Sequence, residues 1–319
     1  MPRLPPVDDV DRQIIALLQE DARRTFQDIG GHVGLAAPAV KRRLDRLEQQ
    51  GVIRGHTAVV DAVRFGWTTL AITQLTTDGQ FSGAHVLAEI RRHPEVSGAW
   101  TVAGASSAML LLRTRDPIHL EGVLERLREN AGITRTETSV VLSTLLERSV
   151  ALGGPFVPTP RTSAAPPAGE ATIDDTDERI VALMRADARR SFGDVGRHVG
   201  LSAPAVKRRV DRLQADGVIR GWTTMVDPGR FGWSTQAIVA LHTEGTLPGH
   251  GIMAAIGHHE EVLAAYTVAG AASAVLIVRT HDTQHLERTL EAMRAAPGVT
   301  RTHSSVILST LLERPFAAS

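Results

Sequence analysis

Hydrophobic residues recur with a helical period along the first fifty positions. Ile14, Leu17 and Leu18 stand at i, i+3 and i+4 in a stretch opened by Asp11, which predicts an amphipathic helix. Ile29 and Val33, four apart, predict a second helix from about Phe26 to Val33, broken by Gly34. Val40, Leu44 and Leu47 predict a third from about Ala37 to Gln50, with Gly51 closing it in the left-handed conformation that glycine accepts. Residues 52–60 then read as extended. After Phe65-Gly66-Trp67 the pattern becomes strand (Thr68–Thr76), helix (Gly83–Arg92), strand (Val96–Ala103), strand (Ala108–Arg113), helix (Pro117–Asn130) and strand (Thr134–Leu145). Asp116 and Pro117 supply a cap and a first helical residue for the last of these helices. The order βαββαβ is the ferredoxin-like arrangement.

The whole pattern then repeats. A shift of 166 positions lays Asp11–Gly153 on Asp177–Ser319 without a gap, and residues 31–55 match 197–221 at 19 of 25 positions. A unit this long carries its own core, unlike the short units of a solenoid. Between the copies, residues 153–171 are rich in Pro, Gly, Ala, Ser and Thr and read as a linker. Its span suits pairing of the copies with each other or with another chain. The units expected are 8–60, 66–150, 174–226 and 232–319, an α+β chain with two winged-type helix-turn-helix domains and two ferredoxin-like domains in tandem. One local difference concerns the third helix. Ser202 stands where an N-cap belongs in copy two and Ala36 stands there in copy one, so the first copy's helix is expected to start less firmly.

Composition narrows the function. The chain has no cysteine, which excludes disulfides, thiolate catalysis and Cys-ligated zinc. No apolar run reaches the length of a membrane helix, and the first residues lack a signal-peptide core. A soluble, cytoplasmic protein is expected. Basic and acidic residues balance at 35 each, yet the third helix concentrates Lys41, Arg42, Arg43 and Arg46 against Asp45 alone. Copy two repeats this with Lys207, Arg208, Arg209, Arg212 and Asp211. Such a cluster binds phosphate even in a neutral chain.

Two short helices, a glycine turn and a basic third helix make a helix-turn-helix, whose last helix enters the DNA major groove by its N-terminal residues. With Val40, Leu44 and Leu47 facing the core, base contact is expected from Ala37, Pro38, Lys41 and Arg42, and from Ala203, Pro204, Lys207 and Arg208, with Ser202 at the helix start. Arg43, Arg46, Arg209 and Arg212 add charge on the same helices. Arg23, Arg24 and Arg54, with Arg189, Arg190 and Arg220, are expected at phosphates. The expected partner is double-stranded DNA.

The stretch DRQIIALLQEDARRTFQDIGGHVGLAAPAVKRRLDRLEQQGVIRG resembles the N-terminal domain of the Lrp/AsnC (feast/famine) transcription regulators, and the βαββαβ unit resembles that family's effector-sensing RAM domain. Ordinary members carry one of each; this chain resembles a fused, tandem member. The resemblance implies a sequence-specific regulator, pairing of RAM domains, and further homo-oligomers such as a dimer or tetramer of tandem chains. It also implies a small effector, often an amino acid, at a turn that usually reads Gly-x-x-Asp. Here the turn is Gly104-Ala-Ser106-Ser107 in copy one and Gly270-Ala-Ala-Ser273 in copy two, so the aspartate is missing from both. A neutral hydroxyl is a poor partner for an ammonium group, and an effector other than a standard amino acid, or none, is expected. Thr136, Thr138, Thr302 and Ser304 are further candidates for the pocket wall, and equally polar positions of an alternating strand.

No metal site, catalytic set or cofactor is expected. The histidines that recur in both copies, His32/His198, His93/His259 and His119/His285, read as surface or helix-end residues, and the P-loop, dinucleotide and nucleophile-elbow motifs are absent. Trp67 and Trp233 read as core at the domain junctions, and Trp100 with Tyr266 as packing residues. A second reading is an architectural DNA-wrapping protein with little base specificity.

Overall fold

The computed structural model describes residues 7–77, 83–130, 132–147, 173–244 and 248–313. The expected linker, 153–171, lies outside them. Copy one runs α1 (Asp9–Glu20), α2 (Phe26–Val33), α3 (Ala37–Gln49), β1 (Ile53–Val60), a 3-10 turn (Ala62–Phe65), β2 (Thr69–Thr77), α4 (Gly83–Arg91), β3 (Val96–Val102), β4 (Ala108–Thr114), α5 (Pro117–Asn130) and β5 (Ile133–Glu147). Copy two runs α6 (Asp175–Ala186), α7 (Phe192–Val199), α8 (Ala203–Ala215), β6 (Ile219–Val226), a 3-10 turn (Pro228–Phe231), β7 (Thr235–Thr243), α9 (Gly249–Ile256), β8 (Val262–Ala269), β9 (Ala274–Thr280), α10 (Thr283–Arg294) and β10 (Val299–Glu313).

Local chemistry sets the helix ends. Asp8 and Asp11 close a reciprocal capping box at α1, with the Asp11 N–H donating to Asp8 at 2.8 Å. Thr25 caps α2, and Gly34 ends it at φ +70°. The turn into α3 also depends on Gly30, because a Cβ there would collide with the Leu35 carbonyl oxygen; Gly196 meets Leu201 in the same way. The cap difference expected at the third helix is absent. Neither Ala36 nor Ser202 makes a side-chain cap bond, and their backbones match at φ −70°, ψ 146° and φ −72°, ψ 154°. α3 and α8 therefore both start on backbone bonds and a first-turn proline, without a side-chain cap.

The extended stretch after each helix-turn-helix pairs across the copies. β1 runs antiparallel to β6, with Thr57 opposite Thr223. These two residues hold the same place in the repeat, so a pseudo-two-fold axis passes between them. Each strand then lies beneath the other copy's helices. The Ala188 N–H donates to the His56 carbonyl at 3.0 Å, and the Ala22 N–H to the Trp222 carbonyl at 3.1 Å. The Thr57 hydroxyl donates to the Arg185 carbonyl, and the Thr223 hydroxyl to that of Gln19, each at 2.9 Å.

The hydrophobic cores follow the crossing. Ile14, Ile15, Leu18, Ile29, Val40, Leu44 and Leu47 of copy one bury Val226 and Phe231 of copy two. Ile180, Val181, Met184, Val206 and Val210 of copy two bury Ala58, with Val60 and Phe65 packed alongside. Each helix-turn-helix core is therefore finished by the segment that leads into the other copy's α/β unit.

Each α/β unit has the ferredoxin-like strand order, β5-β2-β4-β3 and β10-β7-β9-β8. β5 also pairs with β8, and β10 with β3, so the eight strands close into one barrel. Closure removes the sheet edges. Leu70, Ile72, Trp100, Val102, Met109, Ile238, Tyr266, Val268 and Val275 fill the space between the two sheets. The outer faces are covered by α4 with α5 and by α9 with α10. Leu146 at the end of β5 is buried in the outer core of copy two, worth about 1.5–3 kcal/mol for a fully buried leucine. The copies thus pair within the chain, which the linker had left open.

Candidate nucleic-acid interface

α3 and α8 present the same face. Val40, Leu44 and Leu47, and Val206, Val210 and Leu213, are buried, so the opposite side of each helix is left to solvent. Pro38, Lys41 and Arg42 are exposed on it, with Ala37 half-buried at the first turn; Pro204, Lys207, Arg208 and Ala203 repeat this. Lys41 pairs with Asp45 at 2.7 Å, and Lys207 with Asp211 at 2.6 Å, both one turn along the same exposed face. Exposed pairs of this kind are worth about 0–1 kcal/mol, so the lysines exchange readily to phosphate. Arg42 and Arg208 have no hydrogen bond or ion pair among the described residues.

The remaining cations are placed otherwise than the sequence suggests. Arg43 donates to Asp8 at 2.6 Å and to Asp11 at 2.8 Å, and Arg46 donates to Asp11 at 2.5 Å. Arg209 donates to Asp174 at 2.7 Å and Asp177 at 2.8 Å, and Arg212 also binds Asp177. The Asp11 and Asp177 residues are fully buried. The Arg43 hydrogen bond holds the Asp8 carboxyl below its usual range, and Arg209 does the same to Asp174. These four arginines, expected at DNA, tie each recognition helix to the start of the first helix of its own copy.

Arg23 and Arg189, expected at phosphates, lie between the two copies. Arg23 donates to the Ala188 and Arg190 carbonyls at 2.5 and 3.2 Å and lies over the Phe192 and Trp222 rings at 4.5 and 5.3 Å. Arg189 donates to the Ala22 carbonyl at 2.6 Å and lies over Phe26 at 4.8 Å. Burial pulls both guanidinium groups below their usual value. They join the two copies, each half-buried between them. Arg24 is held by Glu20 and Asp28, Arg190 by Asp194, and Arg54 by Asp227 at 3.3 Å. Arg220 is exposed.

At the barrel, the two glycine turns each lie against the other copy. Ala269 is opposite Val140, and a Cβ at Gly270 would sit 3.2 Å from the Ser139 hydroxyl, next to Thr138. The Ala103 N–H, beside Gly104, donates to the Val306 carbonyl at 2.8 Å, two residues from Ser304. Thr136 and Thr302 lie farther along these strands, opposite Leu75 and Leu241. The serines in place of the aspartate face their own sheet. Ser107 accepts from the Thr77 N–H and hydroxyl, both at 3.1 Å, and Ser273 accepts from Thr243 at 3.2 and 2.9 Å. Ser106 donates to Gln74 at 2.8 Å.

The family model for the AsnC-type helix-turn-helix domain matches residues 7–48 and 173–214. That for the Lrp/AsnC ligand binding domain matches residues 70–151 and 236–316. The chain belongs to the Lrp/AsnC family. It is an Lrp/AsnC-type transcription regulator with both domains duplicated. Similar relatives are single-copy. The HTH-type transcriptional regulator Rv2324 of Mycobacterium tuberculosis is 46% identical over 142 residues, 44% of this chain and 96% of the relative. LrpA of the same organism is 36% identical, over 43% of this chain and 91% of its own. At full length the structure is similar to that of the siroheme decarboxylase NirDL, with a TM-score of 0.67, 13% identity and coverage of 96% of this chain and 93% of that one. At that identity the likeness is one of fold alone. Among the described residues of this Lrp/AsnC chain, no helix is long and apolar enough to cross a membrane, and no group of three metal-ligating side chains occurs.

Proposed function

We propose that this Lrp/AsnC regulator reads two similar half-sites, in inverted orientation, as a covalent pseudo-dimer. The observation that carries this is the pair of identical recognition segments, Ala37–Arg43 and Ala203–Arg209, related by a two-fold through Thr57 and Thr223. Two-fold protein symmetry is matched by inverted half-sites about one DNA turn apart. Base contact falls to Ala37, Pro38, Lys41 and Arg42 and their counterparts Ala203, Pro204, Lys207 and Arg208. Arg54 and Arg220 are assigned to phosphates. The working units are taken as 8–60, 66–150, 174–226 and 232–319, acting in the cytoplasm, without catalysis, and in homo-oligomers.

Selection of bound duplexes from a random pool, with the full chain, tests this reading. An enriched inverted repeat is expected, bound more weakly by the Arg42→Ala plus Arg208→Ala chain. An enriched site that the double variant binds unchanged would sink the recognition face. A pool without enrichment would favour the DNA-wrapping alternative.

The effector site is assigned to the two turns, Gly104–Ser107 with Ser304 and Gly270–Ser273 with Thr138, with Thr136 and Thr302 flanking. The neutral serines select against an ammonium group. Free amino acids should leave the melting temperature unchanged; a concentration-dependent rise with any of them would overturn this assignment.

A further inference from the structure

We propose that Asp8 and Asp11, with Asp174 and Asp177, set DNA specificity by holding back two arginines of each recognition helix from the phosphates. This rests on the DNA reading above and extends it to residues outside the recognition helix. A phosphate contact strengthens binding to every sequence alike, whereas base contacts separate one sequence from another. A helix carrying four free cations would bind any duplex well, and its preference would be small beside that background. Specificity is a difference of affinities, so withdrawing charge from the phosphates raises it.

The geometry suits this role. Arg46 lies one turn beyond Arg42 on α3, on the flank that emerges beside the reading face. Its guanidinium is drawn across the helix to Asp11 at 2.5 Å, and Arg43 joins it there at 2.8 Å. The two arginine side chains stay 29% and 39% exposed, so each can swing outward if released, while the Asp11 side chain is 1% exposed and cannot follow. The buried carboxylate also accepts the Asp8 N–H at 3.2 Å. Asparagine at position 11 keeps the shape and one oxygen for the Asp8 N–H, and loses the charge and the second acceptor oxygen that hold the arginines. Copy two repeats the arrangement, with Arg209 at 2.7 and 2.8 Å from Asp174 and Asp177, and Arg212 on Asp177. Both halves are thus restrained equally.

The test is equilibrium binding of the full chain to a random-sequence duplex and to the best selected duplex, across a salt series. For Asp11→Asn plus Asp177→Asn, the random duplex should bind more tightly. Its salt slope should steepen by about 0.9 for each phosphate newly neutralised, and the selected-to-random ratio should fall several-fold. A clamp with a purely structural role would lower both affinities together and leave the slope unchanged, which would overturn the proposal. If that chain fails to fold, Asp8→Asn plus Asp174→Asn, at the exposed members, should give a smaller change of the same sign. The reverse variant, Arg43→Gln plus Arg209→Gln, should leave the random-duplex slope unchanged. A slope shallower by about 0.9 per residue would place those arginines on phosphates already and overturn the proposal. A wild-type chain with no preference for any duplex would instead sink the DNA reading, a result distinct from either.

Discussion

The recognition segments of the two copies are identical, whereas the strands where the copies meet are not. Ala37–Arg43 and Ala203–Arg209 are identical. On either side of the Thr57–Thr223 pair the chain is unmatched: His56 stands opposite Thr224, and Ala58 opposite Trp222. The His56 Nδ1 and the Thr224 hydroxyl are 2.8 Å apart, while the large Trp222 faces a small alanine and stacks under Arg23 at 5.3 Å. Two identical chains around a true two-fold would be obliged to make the same contact on both sides of the axis. Joining the copies removes that obligation. One side has become a polar pair and the other a large-on-small pair. The DNA-facing segments, each reading its own half-site, have no such opportunity.

That contrast can be broken experimentally. Trp222→Ala should carry the largest cost, about 3–5 kcal/mol of unfolding free energy in a denaturant titration, because it empties a packed site. A loss as small as a surface substitution would remove the large-on-small account. Next, Arg42→Ala and Arg208→Ala, made singly, should each weaken binding to the selected site by about 1–3 kcal/mol, and by the same amount. Unequal single effects would show that the two halves do not read alike.

His56 comes third. Burial holds its imidazole below the ordinary histidine value, against the pull of Glu48 at 3.1 Å. The unfolded chain therefore takes up the proton first. The stability this residue brings is present above about pH 6.5 and is lost as the pH falls through its folded-state value. His56→Gln should remove about 1 kcal/mol at neutral pH and flatten part of the decline toward acid, as followed by melting temperature against pH. The buried His93 and the half-buried His259 are shifted the same way and should preserve the rest of the decline. A pH profile identical to that of the wild type would exclude His56 from the titration. The smallest effect belongs to Ser202→Ala, within about 0.5 kcal/mol, since its hydroxyl caps nothing. Faster amide exchange at the start of α8 in that variant would restore Ser202 as a cap.

Helix periodicity, the glycine breaks and the βαββαβ order were legible because each rests on residues close in sequence. Asp116 is an example: its side chain accepts the His119 N–H at 2.7 Å, as the Asp-Pro pair implied. The fate of the arginines was not legible in the same way. Lys41, Arg42, Arg43 and Arg46 look alike along α3, and what separates them is a carboxylate on another helix. A signal was present nonetheless. Asp11 stands three, four and seven positions before Ile14, Ile15 and Leu18, so it occupies the apolar stripe of α1 and must be buried. A buried carboxylate requires cationic partners. The crossing of β1 with β6 left no such trace, since a strand's own residues are equally content with either neighbour. Arg23 and Arg189 read as surface cations until the other copy's carbonyls and rings are placed beside them.

The central ribbon also governs what can become of the gene. A chain reduced to its first half would pair with itself and set His56 against Ala58 twice, leaving the buried imidazole without its hydroxyl on both sides of the axis. A chain reduced to its second half would set Trp222 against Thr224 twice, crowding both. Each half has thus become a worse partner for its own kind than for its neighbour. Fusion holds together two halves whose meeting strands complement each other better than either complements itself.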